Sequence, residues 1–437
     1  MVMPMDDTFE RAKAAFVEGV RHSEAARFAE AEACFEASLA LWPQRSSTLF
    51  NLGAMRVRLG KHEPALSALD GSLAIDPEQA DAWCQRGIAL LHLGRVPDAL
   101  ASFERALRLD ARHAPTLFHL GCALNEQREH GRALALFERL LEGNDSPHAQ
   151  AWFRHGQTLQ ALDRHAEALP SYERALALDA AQPQAWLNRA DILKHSGRTA
   201  DAIAAYRTAI THGAERELVD FYLAPLEGGH AASAPRSYVR GLFDDYAANF
   251  DAHLLGPLRY HGHEILVDTL KAAAPARRFR RALDLGCGTG LCGPLLKPLA
   301  AQVDGVDLSP QMIAQARRRG VYDDLVQAEI TEHLNATESR YDLVLAADVF
   351  TYVGAIEPVF AALARVLLPD GLLAFSVEAA PDDVEFQLRD SLRFAHSRRH
   401  IEALAQRHGH TLLRCLRQPM REDQHRPVDA WYVVLSR

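Results

Sequence analysis

Residues 281–290 read RALDLGCGTG, and the fold of the second half of the chain turns on this decapeptide. Ala282 to Leu285 form a short apolar run, the mark of a buried strand. Glycine then recurs at Gly286, Gly288 and Gly290, so the chain can turn sharply and bring its backbone against a ligand. A helix that follows such a loop points free N–H groups at the same place, which favours negative charge. The glycines alone leave two ligands open. Gly288, Gly290 and Gly293 also satisfy G-x-G-x-x-G, the dinucleotide pattern, with Asp307 as its ribose acid.

The segments that follow separate the two. VDGVDLSPQM (303–312) is a strand ending in the acid Asp307, followed by Leu308 and Met312. LVQAEI (325–330), YDLVLAADVFTY (341–352) and LLPDGLLAFSV (367–377) come next, in that order. Together with DLGCGTG and its acid Asp284, they resemble the ordered motifs of class I S-adenosylmethionine-dependent methyltransferases. The resemblance implies an α/β Rossmann-like domain with a mostly parallel seven-stranded sheet. It implies S-adenosylmethionine as cofactor, S-adenosylhomocysteine as product, and no metal. Asp307 would hold both ribose hydroxyls, and Leu308 and Met312 would flank the adenine. Glu329, where aspartate is commoner, would reach the adenine amino group beside Ile330. Asp284, Gly286, Cys287, Gly288 and Gly290 would form the loop against the cofactor, with Asp348 at the exit of the fourth strand. FDDYAANFD (243–251) resembles the lid that many small-molecule methyltransferases carry, in which Tyr246 would close over the cofactor. The competing reading is an amphipathic helix that uses Tyr246 and Phe250 as core. FDDYAANFDAHL (243–254) with RFAHSRRHIEALAQRHGH (393–410) looks like the bacterial methyltransferases fused to tetratricopeptide repeats.

The N-terminal half repeats. Gly19, Gly53, Gly87, Gly121, Gly156 and Ala190 follow one another at steps of 34, 34, 34, 35 and 34 residues. Twelve places beyond each stands alanine: Ala31, Ala65, Ala99, Ala133, Ala168 and Ala202. Four further on comes a large residue: Phe35, Leu69, Phe103, Phe137, Tyr172 and Tyr206. The period implies two antiparallel helices per unit, with small residues allowing close approach and large ones filling the gap. These units resemble the tetratricopeptide (TPR) repeat, over about Ala12 to Ala214. The organisation expected is therefore an all-α TPR solenoid of six repeats at 1–214, a connection at 215–236 and the methyltransferase domain at 237–437. PLEGGHAASAP (225–235) marks the connection by its Gly, Ala and Pro content. Such arrays bind a protein or peptide on the concave face. Phe16, Phe50, Phe118 and Phe153 either face that groove or are partly buried between repeats. Phe16 and Val20 stand in the first unit where chaperone-binding members carry clamp residues, which disfavours a chaperone tail as partner.

A net charge of -9 gives no support for nucleic-acid or anionic-membrane binding. The basic cluster Arg277, Arg278, Arg280 and Arg281 reads as a solvated entry to a strand. No stretch approaches the run of about 20 apolar residues that a spanning helix needs, and Met1 to Lys13 do not read as a signal peptide. Six scattered cysteines suit a reducing cytoplasm. Cys287 and Cys292 fall beside the cofactor loop and read as packing rather than metal ligands.

Methyl transfer needs alignment and exclusion of water, and a base only if the acceptor is protonated. Asp348, Tyr352 and His253 are the nearest catalytic candidates, with Glu378, Tyr260, His396 and His400 behind them. For each one a structural role is the stronger reading. DVFTY (348–352) lacks the Asn-Pro-Pro-Tyr type of motif that holds a flipped amino base. The reading favoured is methylation of a small or carrier-bound metabolite, with the repeats recruiting a partner or forming oligomers. A protein or peptide held in the repeat groove is the alternative acceptor. A non-catalytic scaffold is the third reading, opposed by the intact Asp284 and Asp307.

Overall fold

Each repeat glycine sits where only hydrogen fits. A Cβ placed on Gly19, Gly53, Gly87, Gly121 or Gly156 would lie 2.5–2.8 Å from the side chain of the large residue sixteen places on. Those residues, Phe35, Leu69, Phe103, Phe137 and Tyr172, are fully buried, as are the six periodic alanines. The computed structural model describes residues 5–142, 148–229, 231–247, 249–423 and 426–437. Parts of three stretches read above lie outside them: Met1–Pro4 of the N-terminal segment, His230 of the connection and Ala248 of the lid stretch.

The chain divides into two compact units, Met1–Gly213 and Ala214–Arg437. In the first, six helix pairs follow the sequence period: α1 (Met5–Glu24) with α2 (Phe28–Leu41), α3 (Ser46–Arg58) with α4 (His62–Ile75), and α5 (Ala80–His92) with α6 (Val96–Leu109). They continue as α7 (Ala114–Glu126) with α8 (His130–Glu142), α9 (Ala149–Ala161) with α10 (His165–Leu178), and α11 (Pro183–His195) with α12 (Thr199–Thr211). Phe16, Phe50 and Phe118 are half-buried and Phe153 is buried. Phe16, Phe118 and Phe153 pack their rings 5.6–6.3 Å from Phe35, Phe137 and Tyr172 of their own units. Packing inside the unit therefore takes much of the aromatic surface that a groove ligand would use.

The second unit opens inside the expected connection. α13 (Arg216–Glu227) buries Val219, Phe221 and Leu223, ends on Gly228 at φ 68°, and places Phe221 against Tyr238 and Phe394. Next come α14 (Arg236–Tyr246), α15 (Phe250–Leu255) and α16 (Gly262–Ala273). The sheet is built from β1 (Phe279–Leu285), β2 (Ala300–Asp307), β3 (Asp324–Gln327), β4 (Tyr341–Ala346), β5 (Leu367–Ala379), β6 (Phe386–Leu388), β7 (Phe394–His396), β8 (Thr411–Asp423) and β9 (Arg426–Ser436). Seven of these run in the order β3-β2-β1-β4-β5-β9-β8. The first five pair in parallel, while β9 is antiparallel to both its neighbours. The seven strands expected are these; the sheet has nine because the short β6–β7 hairpin adds two, joined to the end of β5 through Glu378 and Ala379. Helices α17 (Gly293–Leu296), α18 (Pro310–Arg318), α19 (Ile330–Ala336), α20 (Glu357–Val366) and α21 (Arg398–Arg407) complete the unit.

Buried parallel strands are apolar on both faces, which is why Leu343 to Ala346 of β4 read as a continuous run. In the basic cluster at the start of β1, Arg278 and Arg280 are exposed and Arg281 is half-buried. The backbone N–H groups of Arg280 and Arg281 donate to Asp342, and the Arg281 guanidinium pairs with Asp304 at 2.7 Å. No helix among the described residues is long and apolar enough to cross a membrane.

Candidate active site

A cavity of about 940 Å³ opens at the carboxyl ends of β1, β2 and β4, the place where open parallel sheets hold ligands. Its size is at the upper end of ligand pockets, about 300–1,000 Å³, enough for a nucleoside cofactor and an acceptor together. Asp284 reaches it from β1, followed by Gly286, Cys287 and Gly288. Asp307 and Leu308 come from the end of β2, Glu329 and Ile330 from the start of α19, and Asp348 and Tyr352 from the segment after β4. Tyr246 and His253 close it from α14 and α15.

Two expected residues do not line this cavity. Gly290 faces away, and a Cβ there would lie 2.9 Å from the Tyr322 ring. Met312 is fully buried inside α18, its N–H capped by Ser309 Oγ at 3.1 Å. Among the weaker candidates, Glu378, His396 and His400 are also absent from the lining, while Tyr260 is part of it. Glu378 is buried between Arg421 and Arg389. His396 Nε2 donates to the Val353 carbonyl at 3.0 Å, and burial pushes its pKa down to about 4. It is a neutral packing group.

The loop turns through two left-handed glycines that open toward the cavity. Gly286 and Gly288 adopt φ 72° and 53°, a region that costs residues with a Cβ. Gly288 has nothing within 4 Å of where a Cβ would stand, so its backbone is open to a ligand. The helix after the loop is a single turn, Gly293–Leu296, and carries Pro294, which has no N–H to offer. A pyrophosphate would find a poor cradle there, with two acids beside it.

Asp284 is buried and Asp307 half-buried, and neither is saturated. Asp307 Oδ2 accepts the Gly288 N–H at 2.8 Å and Oδ1 the Ser309 N–H at 2.9 Å. A carboxylate has about four lone-pair sites, so acceptor capacity remains even with the Leu308 N–H also contributing. Burial raises the Asp307 pKa, against the pull of these N–H groups. Asp284 accepts the Tyr322 hydroxyl at 2.6 Å, and burial pushes its pKa up to about 7. Glu329 stands beyond the end of β3, not within it: its carboxylate caps α19 by accepting the Glu332 N–H at 2.9 Å. Asp348 is held at φ 59°, and its Oδ1 is buried with no partner among the described residues. Burial also drives the Cys287 and Cys292 thiols well up, which suits packing groups.

The lid stretch is tied down at two points. Asp244 on α14 accepts the Ser309 hydroxyl at 2.5 Å. Asp251 on α15 accepts Thr289 Oγ1 and Arg319 Nη2, each at 2.5 Å, and Arg319 Nε donates to the Thr289 carbonyl at 2.6 Å. Tyr246 is 42% exposed, at the cavity rim and 5.6 Å from the His253 ring. It is not a core residue. Phe243, by contrast, packs between Phe250 and Tyr352 at 5.8 and 5.2 Å.

Sequence reasoning missed this latch, and with it Arg393, a cavity-lining residue just before β7. The latch joins residues 38–68 positions apart, which no local motif records. Arg393 opens the quoted stretch 393–410, but nothing in its spacing sets it apart.

Residues 283–375 match the methyltransferase domain family, and residues 16–80, 80–113, 118–177 and 153–216 match tetratricopeptide repeat families. A malonyl-(acyl-carrier protein) O-methyltransferase of Enterobacter lignolyticus is 36% identical over 140 residues, 32% of this chain and 55% of that protein. One of the same name from Geobacter sulfurreducens is 32% identical, over 32% of this chain and 53% of that one. A ubiquinone biosynthesis O-methyltransferase of Erwinia tasmaniensis is 28% identical, over 28% and 50%. The chain spans about half the length of the relatives it matches.

Proposed function

We propose that this chain, in which a methyltransferase domain stands behind tetratricopeptide repeats, transfers the methyl group of S-adenosylmethionine to an oxygen of a small or carrier-bound metabolite. The observation that carries the reading is the convergence of three acids, Asp284, Asp307 and Glu329, on one cavity wall beside the open backbone of Gly288. Asp307 has lone pairs free for the ribose hydroxyls, Glu329 accepts at the adenine edge, and Asp284 suits the cofactor's ammonium group. The names of the relatives favour oxygen as the receiving atom.

S-adenosylmethionine supplies a methyl group on a sulfonium that leaves as a neutral thioether. The chain aligns the partners and keeps water out. Phe243, Phe250 and Tyr352 provide apolar walls, and α14–α15, tethered through Asp244 and Asp251, cover the opening. Asp348, Tyr352 and His253 line the same cavity apart from the three acids. The repeat half holds a protein or peptide partner. Calorimetric titration of the full chain with S-adenosylmethionine tests the reading, with labelled-methyl transfer into small-molecule and protein fractions of a lysate. Binding at micromolar concentration and label in the small-molecule or carrier fraction are expected; no binding would end it.

A further inference from the structure

The cavity has a second charged centre, away from the acids assigned to the cofactor. Those acids lie over β1, β2 and the start of α19, whereas Arg393 enters from the β6–β7 hairpin, on the far side of β4 and β5 in the sheet order. A tight turn delivers it. The Leu392 N–H donates to the Arg389 carbonyl at 2.8 Å, Leu392 takes φ 60°, and the Arg389 N–H donates to the Arg393 carbonyl at 2.9 Å. Arg389 fixes the hairpin by donating to Glu378 Oε2 at 2.8 Å and to the Ala379 carbonyl at 2.6 Å.

Arg393 itself is left without a close partner. Its Nη1 is shut off from solvent and makes no hydrogen bond to a described residue. The nearest acidic oxygen, Glu378 Oε1, is 4.0 Å away and already receives Arg421 Nη2. What holds the guanidinium in place is the Tyr352 ring, 5.7 Å from it. Arg421 also approaches Asp348 Oδ2 at 3.7 Å. Three guanidiniums, on Arg389, Arg393 and Arg421, thus meet two carboxylates, on Glu378 and Asp348, so one positive charge is left over at the wall. The surroundings are apolar: Val239, Leu242, Phe243 and Phe250 line the same space. Burial opposes the charge on Arg393, yet nearby Asp348 and Glu378 hold the guanidinium protonated, so a cation faces the cavity with no carboxylate of its own in hydrogen-bond reach.

We propose that Arg393 is the acceptor-side anchor of this cavity and binds a carboxylate of the methyl acceptor. The inference rests on the methyl-transfer reading of the site. A planar guanidinium matches a carboxylate in a two-bonded fork. One excess charge calls for a monoanion, whereas a phosphate dianion would meet Asp348 and Glu378 with charge to spare. The apolar wall beyond suits a hydrocarbon body attached to that carboxylate.

The test uses the full chain saturated with S-adenosylhomocysteine, titrated calorimetrically with octanoate, octanamide and octyl phosphate. Octanoate should bind at least about tenfold more tightly than octanamide, since only it is charged. Arg393→Gln should lose about tenfold in octanoate affinity, Arg393→Lys should keep part of it, and both should bind S-adenosylhomocysteine as the parent does. Equal binding of octanoate and octanamide by the parent, or undiminished octanoate binding by Arg393→Gln, would overturn the assignment. So would a clear preference for octyl phosphate. If Arg393→Gln fails to fold, the comparison of the acid with its amide on the parent still decides. Failure of the parent to bind S-adenosylhomocysteine is a different result, which removes the methyl-transfer reading itself.

Discussion

At the residue scale, Asp307 and Asp284 do different work, and each has its own test. Asp307 spends one lone pair per oxygen on backbone N–H groups, so it is oriented before any ligand arrives. Asp307→Ala should weaken S-adenosylmethionine binding by about 1–3 kcal/mol, read by calorimetry, with little change in fold. Asp284 is costly to bury. Its pKa of about 7 lies above the unfolded value near 3.9, so the folded chain holds that proton more tightly. Between about pH 4 and 7 unfolding then releases a proton, and stability falls as pH rises through that window. Above it the penalty stays at its full value. Asp284→Asn cannot ionise, so without cofactor it should melt higher than the parent at pH 8, by about 1–3 kcal/mol, and gain less at pH 5. Its cofactor affinity should drop. Equal gains at the two pH values would contradict the burial account.

At the element scale, the repeats contain a second periodic position beside the packed glycine. Ala26, Gly60, Gly94, Arg128, Asp163 and Gly197 follow the same steps, and all six adopt φ of 55–73° in the turn between paired helices. Glycine occupies only three of these turns. Ala26→Gly and Arg128→Gly should therefore raise the stability of the repeat half by up to about 1 kcal/mol, and Gly94→Ala should lower it by a similar amount. Urea unfolding followed by helical signal measures the order of these variants. The position was hidden in the sequence because four residue types fill one backbone conformation, whereas packed Gly87 is dictated by the Phe103 ring itself. The same contrast runs through the second half of the chain. In β4 the run Leu343 to Ala346 was legible because burial on both faces demands unbroken apolar residues, and in β1 and β2 the apolar residues lead into the acids Asp284 and Asp307. The β6–β7 hairpin, with three residues per strand, is too short to show any alternation. Asp348, Glu378, Arg389, Arg393 and Arg421 come together only through strand order, and no spacing rule reaches that far. The latch at Asp251 is equally non-local. Asp251→Ala removes its bonds to Thr289 and Arg319 and should weaken cofactor binding several-fold, without touching the acids that face the ligand.

At the scale of the whole molecule, the composition of 215–236 suggested a connection, but its first part is the helix α13. Pro225 sits in the last turn of that helix and Gly228 closes it in a left-handed cap, so residues typical of a linker are here the terminating signals of a helix. The apolar face of α13 belongs to the second unit. Phe221 is 2% exposed, with its ring 5.2 Å from Tyr238 and 6.3 Å from Phe394. Phe394 immediately follows Arg393, so α13 supports the hairpin that carries the proposed acceptor anchor. A fragment beginning at Ala214 should therefore fold alone and bind S-adenosylmethionine as tightly as the full chain. A fragment beginning at Arg236 exposes the surface that Phe221 covered and should lose about 3–5 kcal/mol of stability, the cost of removing a buried phenylalanine side chain. Thermal melts and calorimetry on the two fragments decide the point. Equal stability would mean that α13 is a passive connection after all. Reduced stability with cofactor binding preserved at low temperature would place the helix in the structural frame of the acceptor side, separate from the cofactor wall.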